Sequence, residues 1–263
     1  MEVGTGTSQL VARCADGVAE LVLNNPARRN AFSREMLTHL PAVVGELAGQ
    51  GSARVLVISG AGGQAFASGA DISEAASAAG PGQAPYDSLY REALRLMRSL
   101  TIPVIAMIDG YCLGGGVQLA LTADLRYATP GSTFGIPAAR IGLGYREAGP
   151  LTSLIGAANA AEMLFTARRY PAADALRMGL VNQLFDADRL RAEVVGQVAA
   201  RIAANAPLSV RAAKLSLREL AKPPGERDDE AVRQAIDDCA GSRDLAEGRT
   251  AFRERREPRF TGR

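Results

Sequence analysis

The sequence predicts an α/β protein that ends in helices, and three observations carry that reading. VLVIS (55–59) and VIAMI (104–108) are unbroken β-branched runs typical of strands buried on both faces. Segments with apolar residues at helical spacing stand before and between them. From Pro150 to Phe260 the chain reads almost wholly helical.

Taken in order, LVARC (10–14) and AELVL (19–23) flank Asp16-Gly17, a pair suited to the tight turn of a β-hairpin. Ser33 is placed to cap a helix over 33–50, in which Met36, Leu37, Leu40, Val43, Val44 and Leu47 recur at three and four, with Gly49 and Gly51 ending it. The strand 55–59 follows, and then a glycine-rich loop. The stretch 75–85 has a composition suited to a lid or a disordered insert that could border a ligand tunnel. Helix 86–100 turns Leu89, Leu94, Met97 and Leu100 inward, and Pro103 opens the second buried strand. Residues 110–124 read as glycine followed by helix, with the helix at 117–122, and 125–129 as a further strand. Helices are expected at 189–205, 207–220, 228–239 and 244–256. Helices beyond an α/β core either serve assembly or cap their own domain.

With 263 residues, 47% of them hydrophobic and 22% charged, the chain can bury a full core. Thirty Lys and Arg against 28 Asp and Glu leave a formal charge of +2, no field for a polyanion, so nucleic acid is not expected as a partner. Cys14, Cys112 and Cys239 stand in none of the paired spacings of a zinc site or disulfide framework. The start, MEVGTGTSQL, lacks the basic and apolar runs of a secretion signal, and no apolar run could span a bilayer. A cytoplasmic protein without a membrane partner is expected. His39 is the single histidine; it closes every His₃ metal mechanism and reads as a surface or packing residue. No metal site is expected.

Two loops after buried strands carry the chemistry: AGGQAFASGADI (61–72) and the triplet Gly114-Gly115-Gly116. Small residues let backbone approach a ligand, and the N–H groups that open a helix suit an oxyanion. In the first loop Asp71 is placed to cap a short helix. Neither loop matches the dinucleotide or P-loop pattern; Gly60-Ala61-Gly62 lacks the third glycine of the former.

The order of short motifs is more specific. Arg29-Asn30-Ala31, Phe66-Ala67-Ser68-Gly69-Ala70-Asp71-Ile72, Pro103-Val104-Ile105-Ala106 leading into Gly110-Tyr111-Cys112-Leu113 and the triplet, Ala123-Asp124-Leu125-Arg126, Phe134-Gly135-Ile136-Pro137, Met178-Gly179-Leu180-Val181, Ala206-Pro207 and Glu247-Gly248 with Ala251-Phe252 together resemble the enoyl-CoA hydratase/isomerase, or crotonase, family. The resemblance runs nearly end to end. It implies a crotonase-like spiral of ββα units over 1–200 holding an acyl-CoA site. The helical region 201–263 would serve trimer assembly and closure of the CoA site, in a homotrimer or a dimer of trimers. It implies a lyase or isomerase of fatty acid metabolism acting on an acyl-CoA thioester, with coenzyme A as part of the substrate and no separate cofactor. The backbone amides of Ala70 and Gly115 carry over as the oxyanion hole. Arg29, Ala67, Ser68, Gly69, Asp71, Ile72 and Gly114, with Phe252 and Arg255 from the C-terminal region, carry over as CoA-binding positions.

The chain departs from the pattern where hydratases of the family place two glutamates. Those positions hold Gln118 and Ala138, and neither an amide nor a methyl shuttles protons near neutral pH. Glu147 is a displaced carboxylate or a solvated loop residue, and Glu74 is a weaker candidate on the same logic. Tyr145 lies where the family's methylmalonyl-CoA decarboxylases also place a tyrosine, although Ala70 and Gln118 replace the histidine and glutamate of those enzymes. Gln118 is placed to orient a water or the thioester. A binder of acyl-CoA that has lost catalysis remains the alternative from another class.

Overall fold

The computed structural model describes residues 2–49, 52–75, 77, 80 and 84–263. The strands are β1 (Glu2–Val3), β2 (Leu10–Ala15), β3 (Val18–Leu23), β4 (Val55–Gly60), β5 (Ala65–Ala67), β6 (Val104–Ile108), β7 (Tyr111–Leu113), β8 (Leu125–Ala128), β9 (Thr133–Gly135), β10 (Arg169–Pro171) and β11 (Gln183–Leu184). They form a seven-stranded sheet in the order β1-β2-β3-β4-β6-β8-β11 and a four-stranded sheet β10-β9-β7-β5. The β3-β4-β6-β8-β11 half of the first sheet is parallel. The second sheet is parallel except where β10 meets β9. A mixed α/β fold results, as expected.

The hairpin β2–β3 turns through Asp16 and Gly17, both at positive φ (50° and 79°), the two-residue geometry that matches strand twist. Ser33 Oγ accepts from Met36 N at 3.0 Å and so caps α1 (Arg34–Gly49), whose six predicted apolar residues are all buried. His39 is half-buried at its surface. Helix α2 (Ile72–Ala75) is one turn, capped by Asp71 as expected, with Ser73 N at 3.1 Å and Glu74 N at 3.4 Å from Oδ1. Of the stretch read as a lid or insert, residues 76, 78, 79 and 81–83 lie outside the described residues. Helix α3 (Tyr86–Ser99) follows, then α4 (Gly115–Ala120), α5 (Ala148–Thr166), α6 (Ala172–Met178), α7 (Ala187–Glu193), α8 (Ala200–Ala204), α9 (Pro207–Leu220), α10 (Asp229–Ala240) and α11 (Arg243–Glu254).

Three expectations are corrected. The stretch after Pro150 is not all helix: β10 leaves it to pair with β9, and β11 leaves it to pair with β8. The segments 65–67 and 111–113, read as glycine loops, are strands of the second sheet. Strands of two or three residues complete no period that a sequence could display; neighbouring strands create them. Finally, α4 opens at Gly115, two residues before the expected start. Gly114, at φ 52°, makes the turn, so the glycines are the helix's first residues rather than its prelude.

Candidate active site

The first loop is held by backbone and by one asparagine. Arg29 and Asn30 both adopt the left-handed conformation (φ 52° and 54°), which turns the fully buried Asn30 side chain inward. Its Nδ2 donates to Ala61 O (3.0 Å) and Ala65 O (2.7 Å), and its Oδ1 accepts from Asn25 N (2.9 Å). The same turn aims Arg29 O at Ser68 N, 3.0 Å away, while the Arg29 guanidinium lies over the Tyr111 ring. Phe32 N then donates to Gly69 O (2.8 Å), and Asp71 N donates to Phe32 O (3.1 Å). This pairing skips the Ala70 amide. Asp71 is buried, and the Ser73 hydroxyl, with help from the Glu74 and Ser73 amides and Arg28, holds its carboxyl below the usual range. Ile72 projects outward, 67% exposed.

The second loop is locked against the first. Gly114 N donates to Gly135 O at 2.8 Å. A methyl on Gly116 would lie 2.2 Å from the buried Ala67's carbonyl oxygen, so only glycine lets α4 start this close to β5. Between the loops, a methyl on Gly69 would lie 2.9 Å from Gly115 N, and one on Gly115 would lie 3.3 Å from Ala70 N. The two amide nitrogens therefore border the same small space. Among the described residues neither donates a hydrogen bond.

A side-chain cluster borders this space on the α3 side. Gln118 is one turn beyond Gly115, and Gly115 and Gln118 are the only half-open positions of α4; the other four are buried. Tyr90, from α3, donates to Gln118 Oε1 at 2.5 Å and approaches Gly115 O at 3.1 Å. Burial, then the neighbouring Tyr145, keeps the Tyr90 phenol protonated well above its ordinary range. Tyr145 packs on the core and is likewise pushed up, first by burial and then by Glu147; its Oη is buried without a hydrogen-bond partner. Ala138 stands in a short 3₁₀ turn (Pro137–Ile141), packed on the same core.

Glu147 is neither solvated nor free: its side chain is 14% exposed and paired with Arg98 of α3. Glu74 accepts from Arg34 N at the start of α1, which gives it a structural task. Phe252 and Arg255 are both exposed, and Phe252 lines an open groove of about 840 Å³ with Cys239, Leu245 and Phe260, none of them a residue of the two loops. Within one chain the structure does not bring these two to the glycine site.

Sequence reasoning passed over Tyr90. It occupies the position after Leu89 on a helix read only for its apolar residues. The available signal was a second phenol, Tyr86, one turn earlier on the same face; its hydroxyl donates to Phe32 O at 2.6 Å.

The spiral of strand-and-helix units and the paired glycine loops define a crotonase-type α/β protein. Residues 13–263 match the sequence profile of the enoyl-CoA hydratase/isomerase family, and the chain belongs to that family. It is 30% identical to the short-chain-enoyl-CoA hydratase of Clostridium acetobutylicum, over 91% of this chain and 92% of that one. It is 31% identical to the crotonyl-CoA hydratase of Syntrophomonas wolfei, over 92% and 94%. Among solved structures, an enoyl-CoA hydratase/carnithine racemase from Magnetospirillum magneticum superposes with a TM-score of 0.87 at 33% identity, covering 98% of this chain and 97% of that one. Among the described residues no helix is long and apolar enough to cross a membrane.

Proposed function

We propose that the protein transforms acyl-CoA thioesters through an enolate whose oxygen is held by the Ala70 and Gly115 amides. The observation that supports this is the approach of two undonated backbone N–H groups: a methyl on Gly69 would lie 2.9 Å from Gly115 N, and one on Gly115 would lie 3.3 Å from Ala70 N and 2.6 Å from the Tyr90 hydroxyl. Hydrogen bonds aimed where negative charge develops stabilise the transition state more than the ground state, and one such donor is worth roughly 10²–10³ in rate. Two-glutamate hydration is not the route, because Gln118 and Ala138 supply neither acid nor base. Carboxylate catalysis would fall to Glu147, released from Arg98, which could carry a proton between the α and γ carbons of an enoyl thioester.

A second reading draws on the partnerless Tyr145 hydroxyl. In a malonyl-type thioester the bond from the α-carbon to the carboxylate breaks, its electron pair passes to the thioester oxygen, CO₂ leaves, and a protonated phenol returns a proton to the α-carbon. Incubation with crotonyl-CoA, a 3-enoyl-CoA and methylmalonyl-CoA, read by product mass, separates these reactions. Isomerisation leaves the mass unchanged with a shifted double bond, whereas decarboxylation loses CO₂. Gain of water would overturn the exclusion of hydration, and binding without turnover would make the protein an acyl-CoA binder.

We place the protein in the cytoplasm as a homotrimer or a dimer of trimers. Leu217, Leu220, Ile236 and Phe252, each at least 53% exposed on the C-terminal helices, support self-association there, with Phe252 and Arg255 reaching CoA of a neighbouring subunit. Light scattering on the purified protein tests the assembly; a monomer would refute it.

A further inference from the structure

We propose that helix α3 braces the oxyanion hole: the Tyr90 hydroxyl positions the Gly115 amide, and the Tyr86 hydroxyl positions the Ala70 amide. The inference rests on the acyl-CoA reading above and adds two positioning residues to its site.

The two phenols stand four residues apart, on one face of α3. Tyr90 serves the second loop. Its hydroxyl donates to Gln118 Oε1 at 2.5 Å and lies 3.1 Å from Gly115 O, so both contacts fall on the first turn of α4. A methyl on Gly115 would lie 2.6 Å from this hydroxyl and 3.3 Å from Ala70 N. The hydroxyl therefore closes one flank of Gly115, beside the first loop, and glycine at 115 leaves room for it.

Tyr86 serves the first loop. Its hydroxyl donates to Phe32 O at 2.6 Å. The same carbonyl accepts from Asp71 N, while Phe32 N donates to Gly69 O, so Phe32 holds the residues on both sides of Ala70. The Tyr90 ring packs on the Phe32 ring with 5.7 Å between centroids, which joins the two halves of the brace. Helix α3 is itself fixed, because it buries Tyr86, Ala93, Leu94 and Met97 in the core. Donors aimed at a developing charge act only when held in place, and a misplacement of about 1 Å costs roughly 10²-fold in rate. Burial keeps both phenols protonated well above their ordinary range, so both stay donors at mildly alkaline pH.

The test uses acetoacetyl-CoA, whose enolate absorbs in the near ultraviolet and carries part of its negative charge on the thioester oxygen. Amides aimed at that oxygen favour the enolate over the keto form. The wild type is therefore expected to lower the pH at which the bound probe ionises, relative to the probe free in solution. Tyr90→Phe keeps the ring on Phe32 and is expected to raise that midpoint by about one pH unit, a tenfold loss of preference for the enolate. Tyr86→Phe is expected to raise it by about half a unit. Phe32 O keeps its bond from Asp71 N in that variant, so the fold is expected to survive. Calorimetric affinity for butyryl-CoA, a thioester bound in its neutral form, is expected to stay unchanged in both variants. Equal losses for butyryl-CoA and for the enolate would make the tyrosines general supports of the fold and overturn the inference. An unchanged midpoint in either variant would also overturn it, and a shift in Tyr90→Phe alone would place that hydroxyl on the ligand itself. Failure of both thioesters to bind would instead bring down the acyl-CoA reading, and a wild-type midpoint no lower than that of the free probe would bring down the oxyanion hole; the inference falls with either.

Discussion

The region that carries the two glycine loops and the C-terminal helices are held by different forces. Around the loops, Phe66, Ala67, Cys112 and Val117 are completely buried, and backbone lies so close to backbone that Gly60, Gly110 and Gly116 admit no methyl without a shift of carbonyl oxygens. The last two helices bury little. None of the residues of α10 is fully buried, and α11 buries only Asp244 and Ala251. Polar ties fasten that region instead: Arg54 reaches Ala203 O and Phe260 O, Asp244 gathers the amides of Thr261 and Gly262, and Glu247 pairs with Arg256. Close packing fixes positions to fractions of an ångström, which donors aimed at one oxygen require. Hydrogen bonds and ion pairs near the surface fasten a region that can open separately. Three changes should exploit this contrast.

The largest effect belongs to Gly69→Ala. Gly69 sits at φ 103°, where a side chain is strained, and its methyl would occupy the space 2.9 Å from Gly115 N and 3.1 Å from Leu113 O. It would fill the place proposed for the thioester oxygen. Turnover of whichever acyl-CoA proves to be the substrate is expected to fall by about 10²–10³ or more, the value of an oxyanion donor. A variant that turned over at the wild-type rate would show that the enolate is not held at these amides.

How much of this was legible depended on the range of the interaction. The hairpin turn at Asp16-Gly17, the Ser33 cap and the runs 55–59 and 104–108 are local signals, and all four appear where the sequence places them. The roles of Ala70 and Gly115 came from the family resemblance alone; the fold adds the close approach of their two loops, a methyl on Gly115 lying 3.3 Å from Ala70 N. Partners from distant segments were not legible. Arg98 and Glu147 are 49 residues apart, and Tyr90 and Gln118 are 28 apart; no spacing rule links them before the fold does. The same holds for β10, which exists only because β9 offers it an edge.

A smaller, local effect is expected from Asp244→Asn. Asp244 is 3% exposed, and its two oxygens accept from Thr261 N (2.7 Å) and Gly262 N (2.8 Å). Replacing one oxygen with an NH₂ group sets a donor against a backbone donor, at a cost of about 1–3 kcal/mol. Hydrogen exchange should quicken at Thr261 and Gly262 while amides of β4 and β6 keep their protection. Equal loosening of the core strands would mean that the two regions unfold as one.

The smallest effect should appear on acidification, and its sign follows from Glu247. Hydrogen bonds from Arg256, then the Arg259 amide, hold this carboxyl at about 2, against an ordinary 4.5. Between these values the unfolded tail binds a proton that the folded tail does not, so the contribution of Glu247 is complete above about 4.5 and is lost as pH falls toward about 2. The pair lies near the surface, so the change is modest and should shrink in high salt. Exchange at the Arg259 amide, corrected for its intrinsic rate, should therefore quicken across this window in the wild type. Glu247→Gln should flatten that dependence and leave core exchange as it was. A slope that survived the substitution would assign the acid response of the tail to another carboxylate and remove Glu247 from the set of ties that distinguishes it from the core.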